Sequence, residues 1–284
     1  MTDDPHRAGS GAHPDPLEHG VEPRRVIVTG ADSGIGRAAA VALAAPGRDV
    51  GLTWHTDEEG AERTAEEVRA LGATAHVRQL DLTDPQTGGA VVDDLAEAMG
   101  GVDALVMSSG TGSATPLLDM AYAEWRQVVS VDLDGAFCCL QAAAKHMVAA
   151  GTGGRIVAIT SVHEHAPKVG AAPYCAAKGG LGLLVKVAAI ELAEYGITVN
   201  AVAPGEIATP MTGQEDESVL RGKERPGIPV ARPGDAREIA AVVAFLCGPE
   251  AGYVNGASWV VDGGMLQMGP VGAAELPDSS WRRP

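Results

Sequence analysis

Short β-branched and aliphatic runs alternate with longer amphipathic stretches along most of the chain. Short apolar runs bounded by turn residues predict buried strands, and a period of about 3.6 residues predicts helices. The predicted strands cover residues 26–29, 49–54, 74–80, 102–107, 155–160, 198–202 and 258–261. The predicted helices cover residues 34–45, 58–71, 85–99, 122–149, 173–195 and 235–247. This alternation predicts one α/β domain, with a doubly wound, seven-stranded parallel sheet flanked by helices.

The two ends of the chain and one internal stretch depart from the alternation. Residues 1–22 and 269–284 are rich in proline, glycine and polar residues without periodicity, which predicts flexible terminal tails around a domain of residues 23–268. Residues 205–233 combine frequent proline and glycine with broken periodicity. Because long loops in compact domains are usually functional, we expect this stretch to cross the carboxyl edge of the sheet and close over a substrate.

Composition narrows the classes of partner. The 284 residues are 45% hydrophobic and 20% charged, which is typical of a globular enzyme. A net charge of −16 repels polyanions, so neither nucleic acid nor a membrane is an expected partner. The sequence shows no apolar run of about 18 residues, no signal peptide and no Cys-x-x-Cys spacing, so we expect a cytoplasmic protein with reduced thiols.

A glycine-rich turn follows the first predicted strand and leads into the first predicted helix. Its glycines are Gly30, Gly34 and Gly36. Glycine permits a tight turn and a close approach to a pyrophosphate, whose charge is stabilised by the free N–H groups and dipole of a helix N-terminus. Because this turn joins a strand to a helix at the start of an alternating domain, it predicts a dinucleotide site in a Rossmann-type fold.

A tyrosine, a lysine and a serine have the spacing of an acid–base site. Tyr174 and Lys178 are four residues apart at the start of a predicted helix, so they share one helix face. A tyrosine has an ordinary pKa of about 10 and becomes an effective base when a nearby cation favours the phenolate. Ser161 follows a predicted strand, where its hydroxyl can stabilise charge on a substrate oxygen. The three residues predict proton transfer to a carbonyl, or from an alcohol, coupled to hydride transfer with a nicotinamide.

These motifs resemble those of the classical short-chain dehydrogenase/reductase family over residues 25–265. Residues 29–36 match the family's T-G-x-x-x-G-x-G fingerprint, and Ser161, Tyr174 and Lys178 match the family's reacting residues. The resemblance implies an NAD(P)(H)-dependent oxidoreductase that interconverts a ketone and a secondary alcohol. It also implies a homo-oligomer, because family members are commonly tetramers. The predicted cofactor-binding residues are Gly30, Asp32, Ser33, Gly34, Ile35, Gly36, Trp54, His55, Asp81, Leu82, Ser109, Gly110, Tyr174, Lys178, Pro204, Gly205, Ile207 and Thr209.

Residues 160–164, with Pro167 and Tyr174, most resemble the bacterial glucose 1-dehydrogenase branch of this family. Such a likeness is a weak guide to substrate, because variable loops make the pocket. The same segment holds His163 and His165, which are candidates to line the substrate cleft. Their spacing is not that of a metal site, so no metal is expected.

Two positions depart from the family pattern. Its Asn-Asn-Ala-Gly sequence after the fourth strand is replaced by residues 107–110, Met-Ser-Ser-Gly, and its fourth-helix asparagine is replaced by Asp132. The resemblance implies that the backbone carbonyl at this helix position holds a proton-relay water near Lys178, so Asp132 is counted with the catalytic residues. Two further alternatives stay open, a reductase specialised for one biosynthetic intermediate and a dinucleotide sensor without turnover. Nucleotide-sugar epimerases share the tyrosine and lysine, but few residues follow Pro204 to form their larger substrate domain.

The choice between NAD and NADP is made largely at the end of the second predicted strand. An acidic side chain there would bind the ribose 2′-hydroxyl of NAD and repel the 2′-phosphate of NADP. Trp54 and His55 occupy this place, and either His55 or Arg37 could face a 2′-phosphate. The sequence therefore slightly favours NADP(H) over NAD(H).

Overall fold

The structure is a computed structural model that describes residues 22–213 and 225–268. The tails predicted at residues 1–22 and 269–284 lie outside the described residues, except for residue 22. The centre of the predicted substrate loop, residues 214–224, also lies outside them.

A seven-stranded parallel sheet runs through the described part of the chain, which confirms the predicted fold. Its central strands are Val-, Ile- and Ala-rich and buried on both faces, as expected of a parallel sheet covered by helices. The strand order is β3-β2-β1-β4-β5-β6-β9, and β7 and β8 form a separate two-stranded ladder. The strands are β1 (Arg25–Thr29), β2 (Asp49–Trp54), β3 (Thr74–Gln79), β4 (Ala104–Met107), β5 (Gly154–Ile159), β6 (Ile197–Pro204), β7 (Ile207–Ala208), β8 (Gly234–Asp235) and β9 (Ser258–Val261).

Helices cover both faces of the sheet and enclose one apolar core on each side. Helices α3, α5 and α6 pack on one core, and α1, α2 and α7 pack on the other. Small residues let α1 and α7 approach closely, since Ala39, Ala40 and Ala240 are buried between them and the sheet. The helices are α1 (Gly34–Leu43), α2 (Glu58–Ala70), α3 (Gln86–Met99), α4 (Tyr122–Val129), α5 (Gly135–Ala150), α6 (Ala172–Glu191) and α7 (Ala236–Cys247).

The helix predicted over residues 122–149 is not one regular α-helix. A π-helical segment, Ser130–Asp134, separates α4 from α5. An i→i+5 turn inserts an extra residue, which changes the direction of the side chains within it, and such segments occur frequently at functional sites. Asp132 lies in the middle of this segment and is buried. Hydrophobic periodicity does not reveal a single inserted residue, so the sequence predicted the helical run but not this irregularity.

The stretch predicted as a loop over residues 205–233 begins with short ordered elements, one of which is β7. β7 pairs in parallel with β8, which lies just after this stretch, so that Ile207 faces Gly234 and Ala208 faces Asp235. Asp235, predicted as the first helical residue, is instead the N-cap of α7, and its side chain accepts from the Arg237 N–H. This ladder holds the chain after β6 against the amino end of α7.

The order of the strands creates a crevice at their carboxyl ends. The chain moves from β1 outward to β2 and β3, then returns to the other side of β1 to form β4. At such a topological switch point the loops after the two neighbouring strands diverge and leave space for a ligand. The glycine-rich turn follows β1 and Gly110 lies just after β4, so both lie at this crevice.

Candidate active site

The turn after β1 depends on its glycines. Gly30 and Gly34 have φ values of +64° and +52°, a region that favours glycine. A Cβ at Gly36 would lie 1.9 Å from the Gly30 carbonyl oxygen, so only glycine allows α1 to begin this close to β1. Ser33, the N-cap of α1, makes no side-chain capping bond within the described residues. The N–H groups of the first helical turn therefore fit the pyrophosphate of a dinucleotide.

The end of β4 stays attached to β1 although both family asparagines are replaced. The backbone N–H groups of Ser108 and Ser109 donate to the Thr29 hydroxyl oxygen at 3.1 and 3.2 Å. Gly30 packs against this segment, because a Cβ there would lie 3.0 Å from the Ser109 backbone. The two loops that border the crevice are thus joined through Thr29, and Ser109 lies beside the glycine turn.

The segment after β6 approaches the same turn from the other side. Thr209 is buried, and a Cβ at Gly34 would lie 3.2 Å from its methyl group. Pro204 ends β6, and Gly205 allows close packing on Asp262, whose Cα would lie 2.8 Å from an added Cβ. Ile207 is buried. The segment predicted to contact the cofactor therefore lies next to the glycine turn, with the Ile207 side chain directed into the core.

Ser161 and Tyr174 are linked through His163. Ser161 is buried after β5, and its hydroxyl oxygen accepts from the His163 backbone N–H at 3.1 Å. The Ser161 hydroxyl hydrogen therefore remains available to a substrate oxygen. The His163 ring lies edge-on to the Tyr174 ring, with centroids 6.2 Å apart and an interplanar angle of 73°. The predicted serine and tyrosine thus both contact His163, which lies between them.

Lys178 is held in the interior beside Tyr174. Its Nζ lies 5.6 Å from the Tyr174 ring centroid and donates to the Ile159 carbonyl at 3.1 Å. It also lies 3.4 Å from Asp132 Oδ2, and both side chains of this pair are almost fully buried. Asp132 Oδ1 accepts from the Thr111 N–H at 2.7 Å, whereas Oδ2 has no hydrogen-bond partner among residues 22–213 and 225–268.

Burial and charge act together on this ion pair. Burial raises the pKa of Asp132, and the Lys178 charge and the Thr111 N–H only partly oppose that effect. Burial also acts to lower the pKa of Lys178, but the charges of Asp132 and Tyr174 outweigh it and raise that pKa. Lys178 therefore keeps its proton although its side chain is almost fully buried. Gly110 adjoins the pair, because a Cβ there would lie 3.4 Å from Lys178 Nζ and 3.5 Å from Asp132 Oδ2.

The outer end of the crevice is acidic. His55 follows Trp54 at the end of β2 and lies 3.5 Å from Asp81, whose pKa is lowered mainly by hydrogen bonds from Thr83. Arg37 is paired with Glu67. Both side chains suggested as partners of a 2′-phosphate thus face carboxylates. Leu82 is buried against the start of α5, so only its backbone is available to an adenine.

Two further carboxylates meet near the glycine turn. A Cβ at Gly60 would lie 2.6 Å from the Asp32 carbonyl and 2.3 Å from Asp57 Oδ2. Asp57 caps α2 by accepting from the Gly60 N–H. Burial raises the pKa of Asp32, and the Asp57 charge adds to this effect. Asp57 was not identified from the sequence, although its place three residues after β2 was the available signal.

The described residues hold no metal cluster and one long apolar helix. No group of three or more His, Cys, Asp or Glu side chains there could hold a metal ion. One described helix, α6, is long and apolar enough to span a membrane, although the sequence showed no uninterrupted apolar run of that length. Its inner residues Ala177, Leu181 and Val185 are buried in the core, which accounts for its apolar composition.

The fold and this site define a nicotinamide-dependent oxidoreductase. The sequence profile of the adh_short_C2 family, described as enoyl-(acyl carrier protein) reductase, matches residues 30–266. The chain belongs to the classical short-chain dehydrogenase/reductase family and is an NAD(P)-dependent dehydrogenase that acts on CH–OH groups.

Three similar proteins cover most of the chain. The chain is 49% identical to the uncharacterized oxidoreductase YohF of Escherichia coli, over 86% of this chain and 96% of that protein. It is 48% identical to the crystal structure of acetoin dehydrogenase YohF from Salmonella typhimurium, with a TM-score of 0.82 over 87% of this chain and 98% of that one. It is 33% identical to glucose 1-dehydrogenase 2 of Bacillus subtilis, over 85% of this chain and 94% of that protein. The glucose 1-dehydrogenase resemblance is therefore real, but the YohF proteins are more similar.

Proposed function

We propose that this chain interconverts a small ketone and its secondary alcohol, with Tyr174 as the proton donor and acceptor. The observation that supports this most is the buried Lys178 ammonium beside the Tyr174 ring, fixed by Asp132 and the Ile159 carbonyl. A fixed ammonium stabilises the negative charge that develops on the tyrosine oxygen during proton transfer. Burial of an ammonium destabilises the folded state. A role in proton transfer accounts for the burial of this one.

Each side chain has one task in the reaction. The Ser161 hydroxyl donates to the substrate oxygen, on which negative charge develops. In reduction the Tyr174 hydroxyl gives its proton to that oxygen, and in oxidation the phenolate removes the alcohol proton. Lys178 stabilises the phenolate in both directions. The nicotinamide, when bound, supplies or accepts the hydride.

The name of one relative suggests the first substrate to test. The similar Salmonella structure is described as an acetoin dehydrogenase. We propose a small hydroxyketone of this kind as the substrate class. The experiment is an initial-rate assay at the nicotinamide absorbance band, with acetoin, 2-butanone, glucose and a 3-keto steroid as substrates.

We expect turnover with acetoin that Ser161→Ala lowers by about 10²–10³-fold, because one stabilising donor at a developing oxyanion is lost. Cofactor binding without turnover of any of these substrates would contradict the proposal. It would instead favour the alternative of a dinucleotide sensor.

We propose NAD(H) as the preferred cofactor, which reverses the slight preference for NADP(H) inferred from the sequence. The carboxylates of Asp32 and Asp57 lie near the glycine turn and the end of β2, where they would repel a 2′-phosphate. The side chains suggested from the sequence as partners of the phosphate do not offset these charges, since His55 lies beside Asp81 and Arg37 is paired with Glu67.

The cofactor preference is tested by comparing the KM for NADH and NADPH in wild type, Asp32→Asn and Asp57→Asn. The asparagine at 57 keeps an oxygen for the Gly60 N–H, so the cap of α2 is preserved while the charge is removed. We expect wild type to have a lower KM for NADH than for NADPH. Each variant should reduce the ratio of the two KM values by about tenfold, or ~1.4 kcal/mol. A wild type that prefers NADPH would contradict this assignment.

We further propose that the protein assembles with copies of itself in the cytoplasm. Leu183, Val187 and Ile190 form an exposed apolar stripe on the outer face of α6, with exposed fractions of 64%, 45% and 79%. A stripe of this kind usually marks a protein interface. The four cysteines are unpaired within the described structure, as is typical of a reducing compartment.

A further inference from the structure

His163 contacts both Ser161 and Tyr174 but has no task in the proposed reaction. It lies in the 3₁₀ turn Val162–Glu164 directly after Ser161. Its backbone donates to the Ser161 hydroxyl and its ring contacts the Tyr174 ring. The two side chains that would hold the reacting oxygen therefore flank His163. A ring in this place borders whatever substituent lies next to the reacting carbon.

The hydrogen bond of one ring nitrogen fixes the proton on this imidazole. His163 Nδ1 lies 3.0 Å from the Ala166 carbonyl oxygen. A carbonyl oxygen can only accept, so Nδ1 must carry the hydrogen. In the neutral ring Nε2 is then an acceptor. Nε2 makes no hydrogen bond within the described residues, and it lies across the ring from the Ala166 carbonyl.

We propose that His163 Nε2 accepts a hydrogen bond from a second hydroxyl of the substrate, on the carbon next to the reacting one. This inference rests on the proposed function and narrows its substrate class to vicinal diols and α-hydroxyketones. Because the bare nitrogen accepts and does not donate, the group it recognises is a hydroxyl. A diketone or a simple ketone offers no such donor.

The inference is tested with two alcohols of the same carbon skeleton, 2,3-butanediol and 2-butanol. The kcat/KM for oxidation is measured for each alcohol in wild type, His163→Asn, His163→Gln and His165→Gln. Asparagine places an amide where Nδ1 was and keeps the bond to Ala166, but it does not reach the position of Nε2. Glutamine places an amide oxygen near that position. The sequence made His165 a second candidate to line the cleft, but its Nε2 faces the Ser258 hydroxyl at 3.3 Å. Its ring makes no ring contact with Tyr174 within the described residues, so His165 is the matched control.

We expect wild type to have a higher kcat/KM for the diol than for the mono-alcohol. His163→Asn should lower the ratio of these two values by about 10–100-fold, because one buried hydrogen bond to the substrate is lost. The loss should fall mainly on the KM for the diol. His163→Gln should recover part of the preference, and His165→Gln should keep it. A purely structural role would lower the rates with both alcohols together and leave the ratio unchanged.

Two results would overturn the inference in different ways. A wild type that oxidises both alcohols equally well, or a His163→Asn variant that keeps the preference, removes the role of His163 but leaves the proposed function intact. A wild type that oxidises neither alcohol, and reduces neither acetoin nor 2-butanone, removes the proposed function as well.

Discussion

Asp132 and Lys178 show how much of the chemistry is decided by single side chains. The carboxylate keeps a buried ammonium protonated beside Tyr174, at a position where the family usually has an amide. The sequence identified both residues. It did not indicate that Asp132 would also bind the Thr111 N–H, because that contact depends on how the loop after β4 folds back.

Asp132→Asn should move the alkaline limit of activity to lower pH. The Asp132 charge is the main cause that raises the pKa of Lys178 against burial, so its removal lets the ammonium lose its proton earlier as pH rises. Asparagine still accepts from the Thr111 N–H, so the fold is maintained. The measurement is the pH profile of kcat/KM for alcohol oxidation. A profile with an unchanged alkaline limit would show that the Asp132 charge does not control the lysine.

The elements of the fold were predictable to different degrees. Strand and helix periodicities predicted the doubly wound sheet, because buried parallel strands and amphipathic helices have distinct patterns. The π-helical segment Ser130–Asp134 and the short β7–β8 ladder were not predicted. One depends on a single inserted residue and the other on two residues that pair only after the sheet has formed, so neither leaves a periodic signal.

Gly36→Ala should weaken cofactor binding at the turn between β1 and α1. The added methyl would meet the Gly30 carbonyl oxygen, which belongs to the backbone and cannot move aside. We expect the Kd for the dinucleotide to rise by at least about tenfold and stability to fall by about 1–3 kcal/mol. Gly89→Ala is the control, because an added Cβ in α3 meets nothing closer than 3.7 Å. Equal affinities in a calorimetric titration would contradict the account of the turn.

Glu238→Gln should lower the free energy of unfolding at neutral pH. In acid this destabilisation should become smaller. Hydrogen bonds from Arg232 and from the Asp235 N–H lower the pKa of Glu238 to about 2 from its ordinary 4.5. A lowered carboxyl pKa contributes stability above the ordinary value, and this contribution disappears as pH falls through the folded value. The test compares urea midpoints at about pH 7 and about pH 3. The difference between the urea midpoints of wild type and variant should be smaller at the lower pH. An equal difference at both pH values would contradict the lowered pKa of Glu238.

The matched control for this experiment is Glu66→Gln. Glu66 is exposed on α2 and makes no ion pair within the described residues. The same loss of one carboxylate there should change the urea midpoint little at either pH. A comparable pH-dependent loss in both variants would assign the effect to net charge and not to the cap of α7.

At the scale of the whole molecule, the outer face of α6 connects assembly to the active site. The same helix carries Tyr174 and Lys178 near its start and the exposed stripe of Leu183, Val187 and Ile190 further along. Ile190→Asp should therefore produce a smaller species in sedimentation. Leu71→Asp is the control, since Leu71 is exposed at the end of α2, which packs on the opposite face of the sheet. A wild type that sediments as a monomer would contradict the proposed assembly.

The most direct test of the central claim is the turnover of Tyr174→Phe with saturating NADH and acetoin, followed at the nicotinamide band. Phenylalanine preserves the ring that contacts His163 but removes the only proposed proton donor. The account predicts that kcat falls by about 10²–10⁴-fold while the Kd for NADH stays close to that of wild type. A variant that turns over acetoin at the wild-type rate would contradict it.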